Sequence, residues 1–413
     1  MNLKLTPIRF GIAVLFLVAT AYHGRGYYLL TVHETTPHDL NMRWREQQSI
    51  ICGATVDLKG QRITREQQKA LVPKYGFRVE SNPSRGGYPP WSFLPGYVFY
   101  WPQWPMVKLW FGFVNVLATL GIVVCLRLVA RLSLKNETEI ALWLPISSVL
   151  AVNSFTSTLY MGQFGIICVA ALAGALLSVQ SPRKVAGLLS GVLLGIAMSK
   201  PNLSIPFLVP FLVRGRWLTL CTCALYMLTA SLVVWWASHV DPISMLGKVN
   251  NALNYSAAAG RDPVAMAINS GIDPVWALRT IAIAVVGVYC WIVLRSPKRT
   301  WLELFAGASV ASRLWTYHRH YDNVILVFLL TALVIKAIRS PDSITVGCFL
   351  IVGLSLWVPA RVHLLPHFDT IQMIIWPTAL FVVFRYAPLD ESTGRNDTSL
   401  SLNNPRLECR GGA

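Results

Sequence analysis

Pro89-Pro-Trp-Ser-Phe-Leu-Pro-Gly-Tyr-Val-Phe-Tyr-Trp-Pro-Gln-Trp-Pro105 is the stretch on which the fold turns. It is apolar enough to be taken for a membrane span. Yet Pro89, Pro90, Pro95, Pro102 and Pro105 each remove a backbone donor and crowd the preceding turn, which a regular spanning helix does not tolerate. Its aromatics, Trp91 to Trp104, suit the headgroup level of a bilayer. The segment 89–105 therefore reads as re-entrant or interfacial, and that reading sets the direction of every helix after it.

Outward from it, apolar runs of about 16–22 residues recur, each long enough or nearly so to cross ~30 Å of hydrocarbon as a helix. One precedes it, from Phe10 to about Leu30. Eleven follow, near 106–129, 140–155, 164–180, 185–199, 202–213, 217–236, 275–294, 301–315, 320–338, 343–359 and 369–386. The expected architecture is an all-α polytopic membrane protein with about 12 transmembrane helices. It carries a long first non-cytoplasmic loop (31–88) and the hairpin 89–105. One membrane domain spans 1–387, and the Ser/Asn/Asp/Gly-rich tail 388–413 reads as disordered and cytoplasmic.

Charge tests that count. With a cytoplasmic N-terminus, the inner loops hold Arg127/Arg131/Lys135, Arg183/Lys184, Arg214/Arg216, Arg295/Lys298/Arg299, Lys336/Arg339 and Arg385, so each is basic, as the positive-inside rule requires. One crossing more or fewer would break the alternation.

Composition excludes other classes. Hydrophobic residues make up 54% and charged residues 13% of the 413, which speaks against soluble domains. The net charge of +17 is spread between the spans rather than gathered on one hydrophilic face, so no nucleic-acid partner is expected. Most of the eight cysteines fall inside apolar runs and form neither a disulfide framework nor a zinc spacing. No phosphate-binding loop, nucleophile elbow or HExxH motif is present.

On this topology the polar residues of unusual type converge on the non-cytoplasmic face. Asp39 opens Asp-Leu-Asn-Met-Arg-Trp44, and a helix there would put Arg43 on the same face. This is either a base held by a cation or a solvated surface pair. The run Ser312-Arg-Leu-Trp-Thr-Tyr-His-Arg-His-Tyr-Asp322 packs two histidines, two arginines and a carboxylate between two spans. His318 or His320 could donate to a phosphate oxygen. Lys200 ends a Gly-rich run (Gly187, Gly191, Gly195) that would let helices approach closely. Its compact ammonium suits a phosphate, though a lysine that simply snorkels at a helix end would look the same. Gly162-Gln163 offers an amide to sugar hydroxyls.

In their order, Asp39-Leu-Asn-Met-Arg-Trp44, Tyr88-Pro-Pro90, Gly162-Gln163, the Gly-rich span ending Lys200-Pro201, and Tyr317-His318 with Tyr321-Asp322 resemble the GT-C superfamily of membrane glycosyltransferases. The closest resemblance is to glycosyltransferase family 87, formerly a domain of unknown function. Phe164 departs from it, standing where the Gly-Gln turn often continues with a polar residue. The resemblance implies an inverting enzyme that takes a hexose (mannose-like) or a pentose from a polyprenyl-phosphate donor and adds it to a lipid or glycan acceptor outside the cytoplasm. Several members use polyprenyl-phosphate-mannose.

It further implies Asp39 as general base. Lys200 with His318, Arg319 and His320 would bind the donor phosphate, and Arg43, Tyr88, Gln163, Tyr317 and Asp322 would bind sugar or acceptor. No cofactor and no metal are expected, since no nucleotide-sugar diphosphate needs one. The expected setting is a multi-pass protein of the cell envelope, in the inner membrane of a bacterial cell, with membrane lipid around it. The alternatives are a transporter or flippase, and a surface-glycan ligase or polymerase acting on diphosphate lipids.

Overall fold

Helices stand at each of the twelve expected places in the computed structural model, which describes residues 5–33, 38–52, 64–77, 87–135, 137–257, 262–365 and 367–385. No strand occurs among them. The tail 388–413 and much of the loop 31–88 lie outside the described residues.

Helix length separates two groups. Six helices are long and apolar enough to cross a bilayer by themselves: Pro7–Thr31, Met106–Ser133, Trp217–Ser238, Pro274–Arg295, His320–Arg339 and Phe368–Arg385. A seventh crossing results if Glu139–Leu150 and Ser154–Met161, bent by 49°, form one broken span. The helices Gly165–Val179, Lys184–Ala197, Pro201–Val213 and Ser343–Trp357 are apolar but shorter. At 1.5 Å per residue, 15 residues rise roughly 22 Å, less than the hydrocarbon thickness. Gly165–Val179 is buried along most of its length, so it meets protein rather than lipid. The helix lengths thus support six or seven full crossings, and the expected twelve include several shorter, partly enclosed helices.

Side-chain contacts tie the helix ends into two layers. At one end the Arg214 guanidinium donates to the Pro297 and Arg299 carbonyls, Arg299 donates to the Phe384 carbonyl, and Lys336 meets Glu303 at 3.0 Å. At the other, Thr158 donates to the Tyr321 carbonyl and the Trp315 indole to that of Asn202. Arg214, Arg299 and Lys336, from three of the basic loops read from the sequence, meet in the first layer, and candidate site residues stand in the second.

Glu303 caps its own helix through Thr300 and is fully buried with Lys336 against it. Arg299 also reaches the same carboxylate at 3.3 Å, so removing Lys336 takes away one of two cations and should cost less than the ~3–5 kcal/mol of a fully stranded buried charge. Lys336→Met should therefore lower the melting temperature in detergent, and Glu303→Gln, which leaves both Lys336 and Arg299 without their carboxylate, should lower it further. An unchanged melting temperature for Lys336→Met would contradict the pairing.

The Gly-rich run packs as its spacing suggests. A Cβ at Gly191 would stand 2.5 Å from the Thr222 Cβ, and one at Gly195 would stand 2.4 Å from the Tyr226 ring. Lys184–Ala197 thus lies backbone-close on Trp217–Ser238, which draws the Lys200 end of that helix into the bundle.

Candidate active site

The polar stretch after the first span is not a plain loop. His38–Ile51 is a helix with Asp39 in its first turn, where a carboxylate faces the positive end of the dipole. It is held by the proline-rich segment it packs on. Pro90–Ser92 and Phe93–Phe99 are short helical pieces, which leaves carbonyls beyond them without helical donors. The Gln48 amide donates to the Tyr100 carbonyl at 2.7 Å and the Trp44 indole to that of Pro102 at 2.9 Å.

Arg43 and Glu46 are buried on the same helix and pair at 2.6 Å. The Arg43 guanidinium also lies 3.9 Å over the Tyr88 ring. A cation is thus fixed beside Asp39, with much of its reach spent on Glu46 and Tyr88.

Gly162 ends Ser154–Met161 in the left-handed region, at φ +69°. A Cβ there would come within 2.4 Å of the Leu40 Cβ, so only glycine lets this turn press against the Asp39 helix. The next residue uses that closeness: Gln163 Nε2 donates to Asp39 Oδ2 at 2.5 Å, and Tyr88 Oη donates to Gln163 Oε1 at 2.8 Å. Phe164 is buried against Tyr88, Phe99 and Tyr100. Its packing holds the aromatic wall in place, a task different from that of a polar residue in the turn.

Lys200 sits in a second turn, between Lys184–Ala197 and the helix that Pro201 starts. Its ammonium donates to Asp322 Oδ1 and lies 4.8 Å over the Tyr321 ring. The other oxygen, Asp322 Oδ2, is 3.3 Å from His318 Nδ1 and accepts from the Arg319 amide at 3.2 Å. Asp322 thus has Lys200 on one oxygen and His318 and Arg319 on the other, while its side chain still lines the cavity. Asp262 supports this arrangement from below: Oδ2 accepts from the His318 amide at 2.5 Å, while Oδ1 caps Pro263–Asn269 through the Ala265 amide at 3.0 Å.

His318 is completely buried. Burial first, and then the Arg313 charge, push its pKa down to about 4, so the ring is neutral near pH 7. Because the unfolded chain binds the proton from 6.5 downward and the folded chain only near 4, stability should fall as pH drops across that window. Thermal unfolding in detergent between pH 7 and 4 reads this directly. His318→Asn, which keeps a donor to Asp322, should remove that part of the slope, and an identical slope would contradict it.

These parts meet in one cavity of about 950 Å³. Asp39, Arg43, Tyr88 and Gln163 line it from one side, with Lys200, Tyr317, Arg319 and Asp322 also in its wall. Of the residues singled out from sequence, only the two histidines stay outside the lining. His318 lies behind the wall on Asp322, and His320 is exposed, with Nε2 3.1 Å from Ser157 Oγ. Chain segments more than a hundred residues apart thus place a carboxylate and an ammonium in one chamber. A carboxylate can accept a proton there, and the ammonium can stabilise an anion. Among the described residues no three of His, Cys, Asp and Glu gather as a metal-binding set.

Sequence reasoning passed over Lys248 and Asn251 of Pro242–Ala257, which line the cavity, and Asp262. Arg313, counted in the 312–322 run but given no role there, is buried near the end of Trp301–Leu314 with its guanidinium 5.6 Å from the Trp376 ring. Arg313 did leave a signal, since a charge in an apolar helix asks for a partner. Asp262 left none, because a cap residue looks alike wherever its free oxygen points.

The model of the family described as glycosyltransferase family 87 matches residues 87–316. Tyr88, Gln163 and Lys200 fall inside that range, and the Asp39 helix and the 317–322 segment flank it. No curated protein and no solved structure matches the chain.

Proposed function

The chain belongs to glycosyltransferase family 87, and on that premise we propose that it transfers a sugar from a polyprenyl-phosphate donor to a lipid or glycan acceptor, with inversion at the anomeric carbon. The observation that carries the reading is the single cavity in which Asp39 and Lys200 both stand. Membership speaks for a transferase over the transporter, and the division of charges within the cavity fits the transfer.

Asp39 is the base. Its Oδ2 is oriented by Gln163, which leaves the carboxylate turned to the chamber it lines. As the acceptor hydroxyl oxygen bonds to the anomeric carbon, its proton passes to Asp39, and the bond from that carbon to the phosphate oxygen breaks with its electron pair going to the lipid phosphate. Lys200 stabilises that leaving charge, with Arg319 also at the wall. Asp322 aims the Lys200 ammonium, His318 meets Asp322, and Asp262 holds the His318 backbone. The donor set needs no metal, since the leaving group is a monophosphate met by ammonium and guanidinium.

The cavity opens on the non-cytoplasmic face with both termini on the other side, and the twelve helices, short ones included, make up the membrane domain. The support is the gathering of Arg214, Arg299 and Lys336 at the end away from the cavity. The test is transfer by purified protein in lipid nanodiscs, offered polyprenyl-phosphate-linked and polyprenyl-diphosphate-linked sugars beside an envelope glycolipid extract. Consumption of the monophosphate donor supports this reading, and consumption of the diphosphate donor alone overturns it in favour of a ligase or polymerase.

A further inference from the structure

Five aromatic side chains line the cavity: Tyr88, Trp91, Trp315, Tyr317 and Tyr321. Two of them already carry a cation on a ring face, Arg43 over Tyr88 and Lys200 over Tyr321. Tyr317 packs beside Ala257, Val264 and Ala277. Trp91 and Trp315 are placed differently. They come from opposite parts of the chain, one from the proline-rich segment and one from the end of Trp301–Leu314, and they grip the same turn. Trp91 Nε1 donates to the Met198 carbonyl and Trp315 Nε1 to the Asn202 carbonyl, each at 2.7 Å. Lys200 lies midway between those two carbonyls in the chain.

An indole has one polar atom, and here both are spent on the backbone of the Lys200 turn. What either ring can give the cavity it lines is therefore carbon. Both side chains are half-buried, so part of that carbon stays open. A sugar linked through its anomeric oxygen to a phosphate on Lys200 would stand in the cavity that these two indoles line. The C–H face of a pyranose is the surface that complements an indole face, while its hydroxyls would point to Gln163, Asn251 and other polar groups of the wall.

We propose that Trp91 and Trp315 form the sugar-recognition platform of the cavity, stacking on the apolar face of a donor pyranose while their N–H groups fix the Lys200 turn. This rests on the donor reading above. The platform makes the glycosylated lipid bind more tightly than the bare lipid phosphate, and it places the anomeric carbon between Lys200 and Asp39.

The test compares the full chain, in detergent micelles, binding undecaprenyl phosphate and its mannosyl, glucosyl and galactosyl phosphodiesters. Wild type should bind at least one glycosylated lipid roughly 2- to 13-fold more tightly than the bare one, the range expected for a single aromatic stacking contact. Trp91→Ala and Trp315→Ala should bring that ratio towards one. Trp91→Phe and Trp315→Phe keep a ring, lose the N–H, and should retain most of it.

Three results would overturn the proposal: no preference for any glycosylated lipid in wild type, an unchanged ratio in both alanine variants, or phenylalanine variants as poor as alanine, which would reduce the indoles to props for the turn. Binding of bare undecaprenyl phosphate separates the two levels. If it persists without a sugar preference, only the platform fails; if wild type binds none of the four lipids, the donor reading fails and takes the platform with it.

Discussion

Asp39→Asn is expected to lower sugar transfer by ~10²–10⁴-fold, the usual worth of a positioned general base, while the protein still inserts and melts as wild type does. The structure explains why the two effects should part. The amide oxygen of Asn can accept the Gln163 hydrogen bond that Asp39 Oδ2 accepts now, so the Asp39 helix keeps its tie to the Gly162 turn. What is lost is the capacity to take a proton. Product formation per folded protein, measured with size-exclusion and melting controls, checks this. Transfer within a few-fold of wild type would remove Asp39 from the chemistry and leave it a helix-positioning residue.

Lys200→Ala should cost as much, for two reasons that can be separated. Loss of one preorganised charge facing the leaving group is worth ~10²–10³-fold in turnover. It also leaves Asp322 buried and without its ammonium, a penalty of ~3–5 kcal/mol in stability. The single variant should therefore be both inactive and easily unfolded. Adding Asp322→Asn removes the stranded charge, so the double variant should melt near wild type and remain inactive. Recovery of transfer in the double variant would show that Lys200 serves only the fold.

The layered plan of the molecule was legible because membrane physics is written into every helix. Hydrocarbon thickness demands long apolar runs, and orientation demands basic loops, so the placing of 89–105 outside the spans was enough to put Asp39, Lys200 and Tyr317–Asp322 on one side. Their meeting in one cavity agrees with that. What was not legible depends on neighbours rather than on solvent. Gly165–Val179 is short because other helices surround it, and no count of apolar residues reports that. His38–Ile51 is a helix rich in polar residues that reads as loop until the carbonyls of Tyr100 and Pro102 are seen to need its side chains.

The site shows the same division. Residue types at the right end of the right helices could be read from the chain; their partners could not. Asp322 looked like a group facing the sugar, and its partner stands 122 residues away. His318 and His320 were equal candidates by spacing, and the two-residue step between them turns one into the buried support of Asp322 and the other outward to Ser157. Trp91 read as an interfacial aromatic of the proline-rich segment, and Trp315 stood in the 312–322 run with no role of its own. Only the carbonyls they bind tie them to Lys200.

The measurement that bears most directly on the central claim is mass spectrometry of the lipids that co-purify with wild type and with Lys200→Ala. The account predicts a polyprenyl monophosphate or its glycosylated form, enriched over bulk phospholipid in wild type and depleted in the variant. A diphosphate-linked oligosaccharide in its place, retained equally by both proteins, would contradict it.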